Sequence, residues 1–287
     1  MSRIAYVNGR YVPHARAAVH VEDRGYQFAD GVYEVCEVRH GFIIDMNRHL
    51  DRLDRSLGEL SILWPVHRSA LHRILVEVVR RNRIRDGLVY LQVTRGVARR
   101  DHAFPAADTR PALVVTASRI SPSASASMAE TGIAVITVPD NRWDRVDIKT
   151  VGLLPNVLAR QQAKDAGAQE AWFVDADGVV LEGSSTNAWI VTRDGVIVTR
   201  DATRGILRGI TRTTLFDVAD RLGSKIEERG FTVAEALESR EAFVTSATKT
   251  VMPVVSINGR PVGNGHPGTV AGALRDAFFD VAEKTGA

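Results

Sequence analysis

Alternating apolar and polar residues at the start of the chain predict short strands. The stretch "IAYVNGRYV" fits a hairpin that turns at Asn8-Gly9, a dipeptide that favours tight turns. "GVYEVCEVRHGFIID" predicts a second hairpin, turning at His40-Gly41. Leucines then recur at the helical period in "HLDRLDRSLGEL", and "SALHRILVEVVRRNRI" predicts another amphipathic helix. "GLVYLQVTRG" and "RPALVVTAS" return to strand, so this part of the chain predicts an α+β layer.

A stretch rich in Ser and Ala, "SRISPSASASMAE", follows without an apolar period and predicts a linker. The predicted organisation is an N-terminal domain over 1–118, a linker over 119–130 and a C-terminal domain over 131–287. In the second domain the patterns predict strands "GIAVITVP", "EAWFVDADGVVLEG", "NAWIVTRDGVIVTR" and "EAFVTSATKTVMPVVSING", the last with a polar interruption. They also predict helices "LPNVLARQQAKDAG", "TRTTLFDVADRLG" and "TVAGALRDAFFDVAEKT".

Length and composition fit a globular protein of about two domains. The chain has 287 residues, of which 45% are hydrophobic and 25% charged. No apolar run approaches the roughly 20 residues that cross a membrane, and the first residues lack a signal-peptide pattern. Cys36 is the single cysteine, so an internal disulfide is impossible and a metal site is not expected. We therefore expect a cytoplasmic location.

The net charge of +3 comes from arginines scattered among acidic residues, which does not favour nucleic-acid binding. One loop, "TRGVARRDHAFP", nevertheless places arginines and a histidine around Asp101. It fits a solvated loop, a nucleic-acid patch or a trap for a substrate carboxylate. The loop alone does not decide between the three.

Only five lysines are present, so a lysine used chemically is easy to search for. Lys149 lies between apolar residues in "VDIKTVGLL", where burial would lower its pKa and suit its amine to Schiff-base formation. The alternative is a lysine that snorkels at a strand end. Lys249 follows a Ser- and Thr-rich break in a strand and remains a second candidate. The other three lysines lie in solvated patterns.

Two further motifs could bind an anion. In "LEGSSTNAWI", Glu182 ends a strand and is followed by a glycine and three hydroxyl residues. In "RGILRGITRTTLF", Gly209 precedes a helix whose first N–H groups would attract phosphate. Each motif alone also fits an ordinary polar bend or helix cap. Together, a lysine, a carboxylate and an anion cradle are the parts that pyridoxal phosphate requires.

The same residues carry a resemblance that extends over nearly the whole chain. "EDRGYQFADGVYEV", "HLDRL", "VTRG", "RRDHAFP", "RWDRVDIKT", "EGSSTN" and "GITR" occur in the order found in the fold-type IV pyridoxal-phosphate aminotransferases. Within that family the chain is most similar to the branch that acts on D-amino acids. The resemblance implies two domains of α+β or α/β character: a small N-terminal α/β domain and a larger C-terminal pseudo-barrel α/β domain.

The resemblance also implies roles for individual residues. Lys149 would be the Schiff-base lysine and proton shuttle, and Glu182 would contact the pyridine nitrogen. Substrate would meet Tyr33, and its carboxylate would be held by Arg100 and His102. The residues implied for the cofactor's phosphate are Arg52, Ser185, Thr186, Ile210 and Thr211. Relatives often have a phosphate-binding threonine where this chain has Ala247, and Ser246 or Thr248 would substitute for it.

The implied reaction is transamination between a D-amino acid, such as D-alanine, and a 2-oxo acid such as 2-oxoglutarate or pyruvate. A homodimer is implied as well, with the basic loop reaching a neighbouring active site, which favours the carboxylate trap. Alternatives on the same fold are a branched-chain L-amino-acid aminotransferase and an aminodeoxychorismate lyase, and "RRDH" argues against both. A non-catalytic basic binding module is the alternative from another class.

Overall fold

The computed structural model describes residues 3–203 and 205–286. Its residues group into two compact units. The first contains the chain up to Ser121, together with Ile148–Gly152 and the segment that begins at Glu283. The second contains Pro122–Asp147 and Leu153–Ala282.

Strands and helices cover most of the described residues. The strands are β1 Ile4–Val7, β2 Arg10–Pro13, β3 Gly31–Arg39, β4 Phe42–Ile44, β5 Gly87–Thr94, β6 Ala112–Arg119, β7 Ile133–Pro139, β8 Glu170–Val174, β9 Val180–Gly183, β10 Asn187–Val191, β11 Ile197–Thr199, β12 Ile226–Glu228, β13 Glu241–Ser246, β14 Thr250–Ile257, β15 Arg260–Pro261 and β16 Lys284–Gly286. The α-helices are α1 Arg24–Phe28, α2 Met46–Glu59, α3 Arg68–Asn82, α4 Pro122–Thr131, α5 Leu154–Asp165, α6 Ile210–Arg221, α7 Val233–Glu238 and α8 Thr269–Val281. A short 3₁₀ helix covers His14–Arg16.

The first unit is built on one sheet with the strand order β16-β4-β3-β5-β6-β1-β2. Both predicted hairpins are confirmed, and their turn residues have the positive φ that such turns need: 45° at Asn8, 92° at Gly9, 52° at His40 and 84° at Gly41. Helices α2 and α3 pack on the sheet through their leucine faces. The predicted amphipathic pattern therefore forms the core of this unit.

The second unit is built on a sheet with the strand order β12-β11-β10-β13-β14-β7-β8-β9, and β15 pairs with β14. Strand β7 runs parallel to both β8 and β14. Strands β10 and β13 are antiparallel, with Asn187 opposite Thr245. Helix α6 packs against β13 and α8. The strand interiors are almost continuously apolar because both faces are buried.

Three features differ from the sequence-based expectation. Residues Pro122–Thr131 form helix α4, which covers most of the segment that the sequence predicts as a linker and ends one residue beyond it. The polar interruption predicted in a late strand is a hairpin turn between β13 and β14. The domain division also differs, because two short segments from the predicted C-terminal domain belong to the first unit.

Backbone hydrogen bonds explain why these two segments belong to the first unit. The N–H of Tyr33 donates to the carbonyl of Lys149 at 3.0 Å, and the N–H of Val151 donates to that of Gly31 at 3.0 Å. Strand β16 pairs with β4 in the same sheet. Both segments therefore complete the first unit, although they are distant from it in sequence.

Over residues 3–203 and 205–286, none of the helices combines the length and the apolar composition of a membrane span.

Candidate active site

Lys149 follows the buried residue Ile148, which anchors its segment in the core of the first unit. It is half-buried and lies outside the named strands, beside a single bridge between Val32 and Thr150. The apolar pattern around Lys149 therefore forms one isolated bridge and no continuous strand. Its Nζ lies 4.2 Å from the centre of the Tyr33 ring. Because the backbone of Lys149 also accepts a hydrogen bond from Tyr33, the structure brings these two predicted residues together.

Arg52, the residue implied for phosphate binding, lies on α2 and forms an ion pair with Glu34 of β3. Its Nε and Nη2 donate to the two carboxylate oxygens at 2.8 and 2.7 Å. His49 Nδ1 lies 2.6 Å from the same carboxylate. Burial raises the pKa of Glu34, but the charge and hydrogen bonds of Arg52, with those of His49, outweigh it and lower the pKa to about 2. Glu34 thus stays ionised and fixes the Arg52 guanidinium.

Tyr33 has a second tyrosine beside it. The rings of Tyr33 and Tyr90 are 5.7 Å apart and tilted by 31°. Burial and the neighbouring Tyr33 raise the pKa of Tyr90 to about 12, and its hydroxyl donates to Gln92 at 2.6 Å. The Tyr90 phenol beside Tyr33 therefore stays neutral.

The basic loop is anchored at its base by two buried arginines. Arg95 donates to both oxygens of Asp30, at 2.7 and 3.0 Å. Arg24 donates to the same carboxylate at 2.7 Å and to the carbonyl of Asp101 at 2.7 Å. The backbone of the loop is thus fixed by charge-assisted bonds although its tip is exposed.

Arg100 and His102 lie at the exposed tip and share one neighbour. The Arg100 guanidinium lies 4.7 Å from the centre of the Phe28 ring, and the His102 ring lies 5.5 Å from it. Although the chain bends at Arg100 and at His102, both side chains lie against this one ring. The structure therefore brings together the two residues implied for carboxylate binding.

In the second unit, Glu182 lies near the end of β9 and is buried. Its Oε1 accepts a hydrogen bond from Arg142 at 2.5 Å, and its Oε2 accepts bonds from Asn187 Nδ2 at 3.2 Å and from the N–H of Leu207 at 3.1 Å. Arg142 also donates to both oxygens of Asp140. Burial alone would lower the pKa of Arg142, but Asp140 and Glu182 raise it. A permanently charged arginine thus stabilises the Glu182 carboxylate.

The hydroxyl segment after β9 surrounds a different carboxylate. Glu170 is fully buried and accepts hydrogen bonds from the hydroxyls of Ser184, Ser185 and Thr186, the last two at 3.3 and 3.2 Å. Arg160 lies 3.6 Å from it. This segment therefore keeps its conformation through hydrogen bonds to one buried charge.

Helix α6 begins beside the same segment. A Cβ on Gly209, the residue before the helix, would clash with the side chain of Asn187, so the helix start touches the first residue of β10. Ile210 and Thr211 form the first turn and are buried, and their N–H groups lie at the positive end of the helix dipole. Thr248 is exposed in the β13–β14 turn, with its hydroxyl 3.1 Å from that of Ser246.

Sequence reasoning missed several residues that shape these sites, namely Glu34, His49, Arg142 and Glu170. Arg142 lies in the quoted motif "RWDRVDIKT", and Glu34 in "GVYEV", so acidic and basic residues within those motifs were the available signal. Burial is what distinguishes them from surface charges, and the sequence alone does not display it.

The donors present fit a phosphorylated pyridine aldehyde. Within the second unit, the hydroxyls and the start of α6 have the chemistry to bind a phosphate, and the buried carboxylate held by an arginine suits a pyridine nitrogen. Within the first unit, a lysine over a tyrosine ring has the amine that an aldehyde requires. Across residues 3–203 and 205–286, no cluster of three or more His, Cys, Asp or Glu side chains is arranged to hold a metal ion.

Comparison with known proteins finds relatives that match nearly the whole chain. A D-alanine aminotransferase of Bacillus licheniformis is 40% identical over 282 residues, covering 97% of this chain and 98% of that protein. A D-alanine aminotransferase of Listeria innocua is 38% identical over 275 residues, covering 96% and 94%. The crystal structure of the T.th. branched-chain amino acid aminotransferase with pyridoxamine 5'-phosphate has a TM-score of 0.87 at 27% identity, covering 98% of this chain and 94% of that one.

These likenesses confirm the predicted fold class, and residues 31–257 match the amino-transferase class IV family. That match and the two relatives span most of the chain. The chain therefore belongs to the class IV aminotransferases.

Proposed function

We propose that this aminotransferase moves an amino group between a D-amino acid, such as D-alanine, and a 2-oxo acid, with pyridoxal 5'-phosphate as its cofactor. The observation that carries the proposal is the anchored loop in which Arg100 and His102 face Phe28 together. A guanidinium and an imidazole on one side of a fixed loop suit a substrate carboxylate. The D-alanine aminotransferases similar to this chain over nearly its full length support the same substrate class.

Lys149 is proposed as the residue that holds the cofactor and moves the proton. When bound, pyridoxal phosphate supplies an aldehyde for an amine and a ring that accepts electrons as the substrate's Cα–H bond breaks. The Lys149 amine lies over the Tyr33 ring, and its backbone is fixed by Tyr33. With its backbone fixed, the Lys149 amine is positioned both to accept the proton from the substrate's Cα and to donate that proton again later in the reaction.

Glu182 is proposed to keep a proton on the ring nitrogen. Its buried carboxylate is oriented by Arg142, Asn187 and the N–H of Leu207. An anion at that place favours the protonated pyridine, which is the better electron acceptor. The positive charge of Arg142 beside Glu182 favours its ionised carboxylate.

In the first unit, Arg52 is proposed as a phosphate-binding residue. In the second unit, the residues proposed for the phosphate are Ser185, Thr186, Ile210, Thr211 and Thr248. Arg52 supplies charge, and the first turn of α6 supplies backbone N–H groups. Glu34 holds the Arg52 guanidinium in one position, so little side-chain entropy is lost on binding.

A homodimer in the cytoplasm belongs to the same proposal. Helix α5 exposes a row of apolar side chains, with Leu154 69%, Val157 58% and Leu158 51% exposed. Such a row on one helix face is typical of a surface that another subunit covers. The buried thiol of Cys36 fits a reducing compartment.

A branched-chain L-amino-acid aminotransferase is the second candidate, because the similar solved structure with pyridoxamine 5'-phosphate is that of a branched-chain amino acid aminotransferase. Purified protein supplied with 2-oxoglutarate and either D-alanine or L-leucine separates the two. We expect pyruvate and glutamate from D-alanine and little product from L-leucine. Faster turnover of L-leucine would replace the proposal with the second candidate.

An aminodeoxychorismate lyase would release pyruvate from its own substrate without a 2-oxo acid acceptor.

A further inference from the structure

Lys249 places an ammonium group where it has no hydrogen-bond partner among residues 3–203 and 205–286. Its Nζ is buried in the β13–β14 turn. The backbone is fixed: its N–H donates to Ser246 at 3.3 Å, and its carbonyl accepts from Arg275 at 2.7 Å. A buried ammonium with three unused N–H donors is costly. This cost suggests that the group meets an anion in the working protein.

The nearby carboxylate does not supply that partner. Burial lowers the pKa of Lys249, whereas the charge of Glu170 raises it and Arg160 lowers it again. Glu170 already accepts hydrogen bonds from three hydroxyls and lies 3.6 Å from Arg160. Lys249 therefore senses Glu170 electrostatically without a hydrogen bond to it.

The position of Lys249 in the second unit suits an anion. Asn187 is opposite Thr245, so the hydroxyl segment before β10 and the turn after β13 lie at the same end of the two strands. The start of α6 touches Asn187 at this end as well. Hydroxyls, a helix start and the Lys249 turn therefore converge there, and at the turn Ala247 offers no side-chain donor.

We propose that the Lys249 ammonium binds the phosphate of the cofactor, adding a charged donor beside Thr248 at the turn where Ala247 has none. The inference rests on the proposed function, because it takes pyridoxal phosphate as the ligand. Lys249 is a phosphate-binding residue in this account and has no covalent role.

The test measures cofactor binding to the full-length protein after the cofactor has been removed. Wild type, Lys249→Met and Lys249→Arg are titrated with pyridoxal phosphate and, in parallel, with pyridoxal, which lacks the phosphate. A hydrogen bond to a charged group predicts a Kd for pyridoxal phosphate about tenfold to a hundredfold higher in Lys249→Met. Lys249→Arg should recover part of the affinity, and binding of pyridoxal should be unchanged.

A second readout separates binding from structure. Inorganic phosphate should raise the Tm of the cofactor-free wild type and raise that of Lys249→Met less. Cofactor-free Lys249→Met itself should be as stable as wild type or more stable, because a buried ammonium has been removed. Lys164→Met on the exposed face of α5 is the matched control and should behave as wild type in every assay. Should Lys249→Met fail to fold, Lys249→Gln carries the same comparison.

Equal affinities of wild type and Lys249→Met for pyridoxal phosphate, with equal phosphate effects on Tm, would overturn the inference and leave the aminotransferase proposal intact. A wild type that neither binds pyridoxal phosphate nor transaminates would instead overturn the proposed function. A loss of pyridoxal binding equal to the loss of pyridoxal-phosphate binding would assign Lys249 to the ring and not to the phosphate.

Discussion

Lys149 in the first unit and Lys249 in the second have amines in contrasting surroundings. The amine of Lys149 is half-buried over the ring of Tyr33, with its backbone tied to strand β3. The amine of Lys249 is buried in a hairpin turn near Glu170 and donates to no atom of the described residues. Burial alone would select Lys249 as the chemically special lysine. The comparison teaches that an aromatic neighbour and a fixed backbone suit a covalent and proton-moving amine, whereas an unmet ammonium among hydroxyls suits a bound anion.

The largest effect is expected from replacing Lys149. Lys149→Ala removes the amine that holds the cofactor and moves the proton, so turnover should fall by ~10²–10⁴-fold or more. Steady-state assay with D-alanine and 2-oxoglutarate measures it. Lys249→Ala is the partner variant, and at saturating cofactor it should keep far more activity. The reverse ranking would exchange the roles of the two lysines.

Glu34→Gln should cost the most stability, because it removes the carboxylate that pairs with the buried Arg52 guanidinium. Breaking such a buried pair costs about 3–5 kcal/mol. Urea unfolding at neutral pH measures the loss. Glu77→Gln is the control: its carboxylate also has a pKa of about 2, but its pairs with Arg80 and Arg81 lie at the surface, where solvent screens them, so its loss should change stability little.

The same pair gives a pH dependence with a definite sign. The pKa of Glu34 is about 2 in the folded protein, below its ordinary value of 4.5. Its contribution is therefore complete above about pH 4.5 and is lost as the pH falls toward 2. The free energy of unfolding of wild type should therefore fall as the pH is lowered from about 4.5 toward 2, and that of Glu34→Gln should fall less over the same range. Parallel curves for the two proteins would show that Glu34 is not paired as described.

Glu182→Gln should slow the chemical step while cofactor binding is kept. An amide cannot stabilise a protonated ring nitrogen, and loss of one such electrostatic contact costs ~10²-fold in rate. Single-turnover kinetics with D-alanine measure this step directly. Arg142→Met should have a smaller effect in the same direction, because it removes the guanidinium that orients Glu182. A wild-type rate in Glu182→Gln would exclude it from the proposed role.

The smallest effect is expected at the basic loop. Arg100→Ala should keep the absorbance of the bound cofactor and lower kcat/KM for D-alanine by about tenfold to a hundredfold, the value of one charged hydrogen bond. His102→Ala should resemble it, since both side chains face Phe28. Arg99→Ala should change kcat/KM much less. Equal losses in Arg99→Ala and Arg100→Ala would mean that the loop acts through its total charge.

Much of the fold could be predicted because its elements are strongly patterned. The leucine period of α2 and the Asn8-Gly9 turn are local signals, and both are confirmed. The sequence of helix α4 predicts a linker instead, because this Ser- and Ala-rich stretch has no apolar face to bury. Strand β16 and the segment around Lys149 join the first unit through pairing with residues far away in sequence, which local periodicity does not report.

The residues of the candidate site also divide into those that the sequence predicts and those that it does not. Lys149, Glu182 and Arg100 lie in motifs whose order along the chain carries the resemblance. Glu34 and Glu170 could not be predicted, because among 34 acidic residues the sequence does not show which carboxylates are buried. The partnerless amine of Lys249 also depends on tertiary packing, although its position after a hydroxyl-rich break is visible in the sequence.

The most direct test of the central claim identifies the lysine that carries the cofactor. Protein loaded with pyridoxal phosphate is reduced with borohydride and digested with trypsin, and the modified peptide is located by mass spectrometry. The account predicts the cofactor on Lys149, in the peptide that begins at Val146, which then also escapes cleavage after residue 149. Modification of Lys249, in the peptide that begins at Glu241, would contradict it.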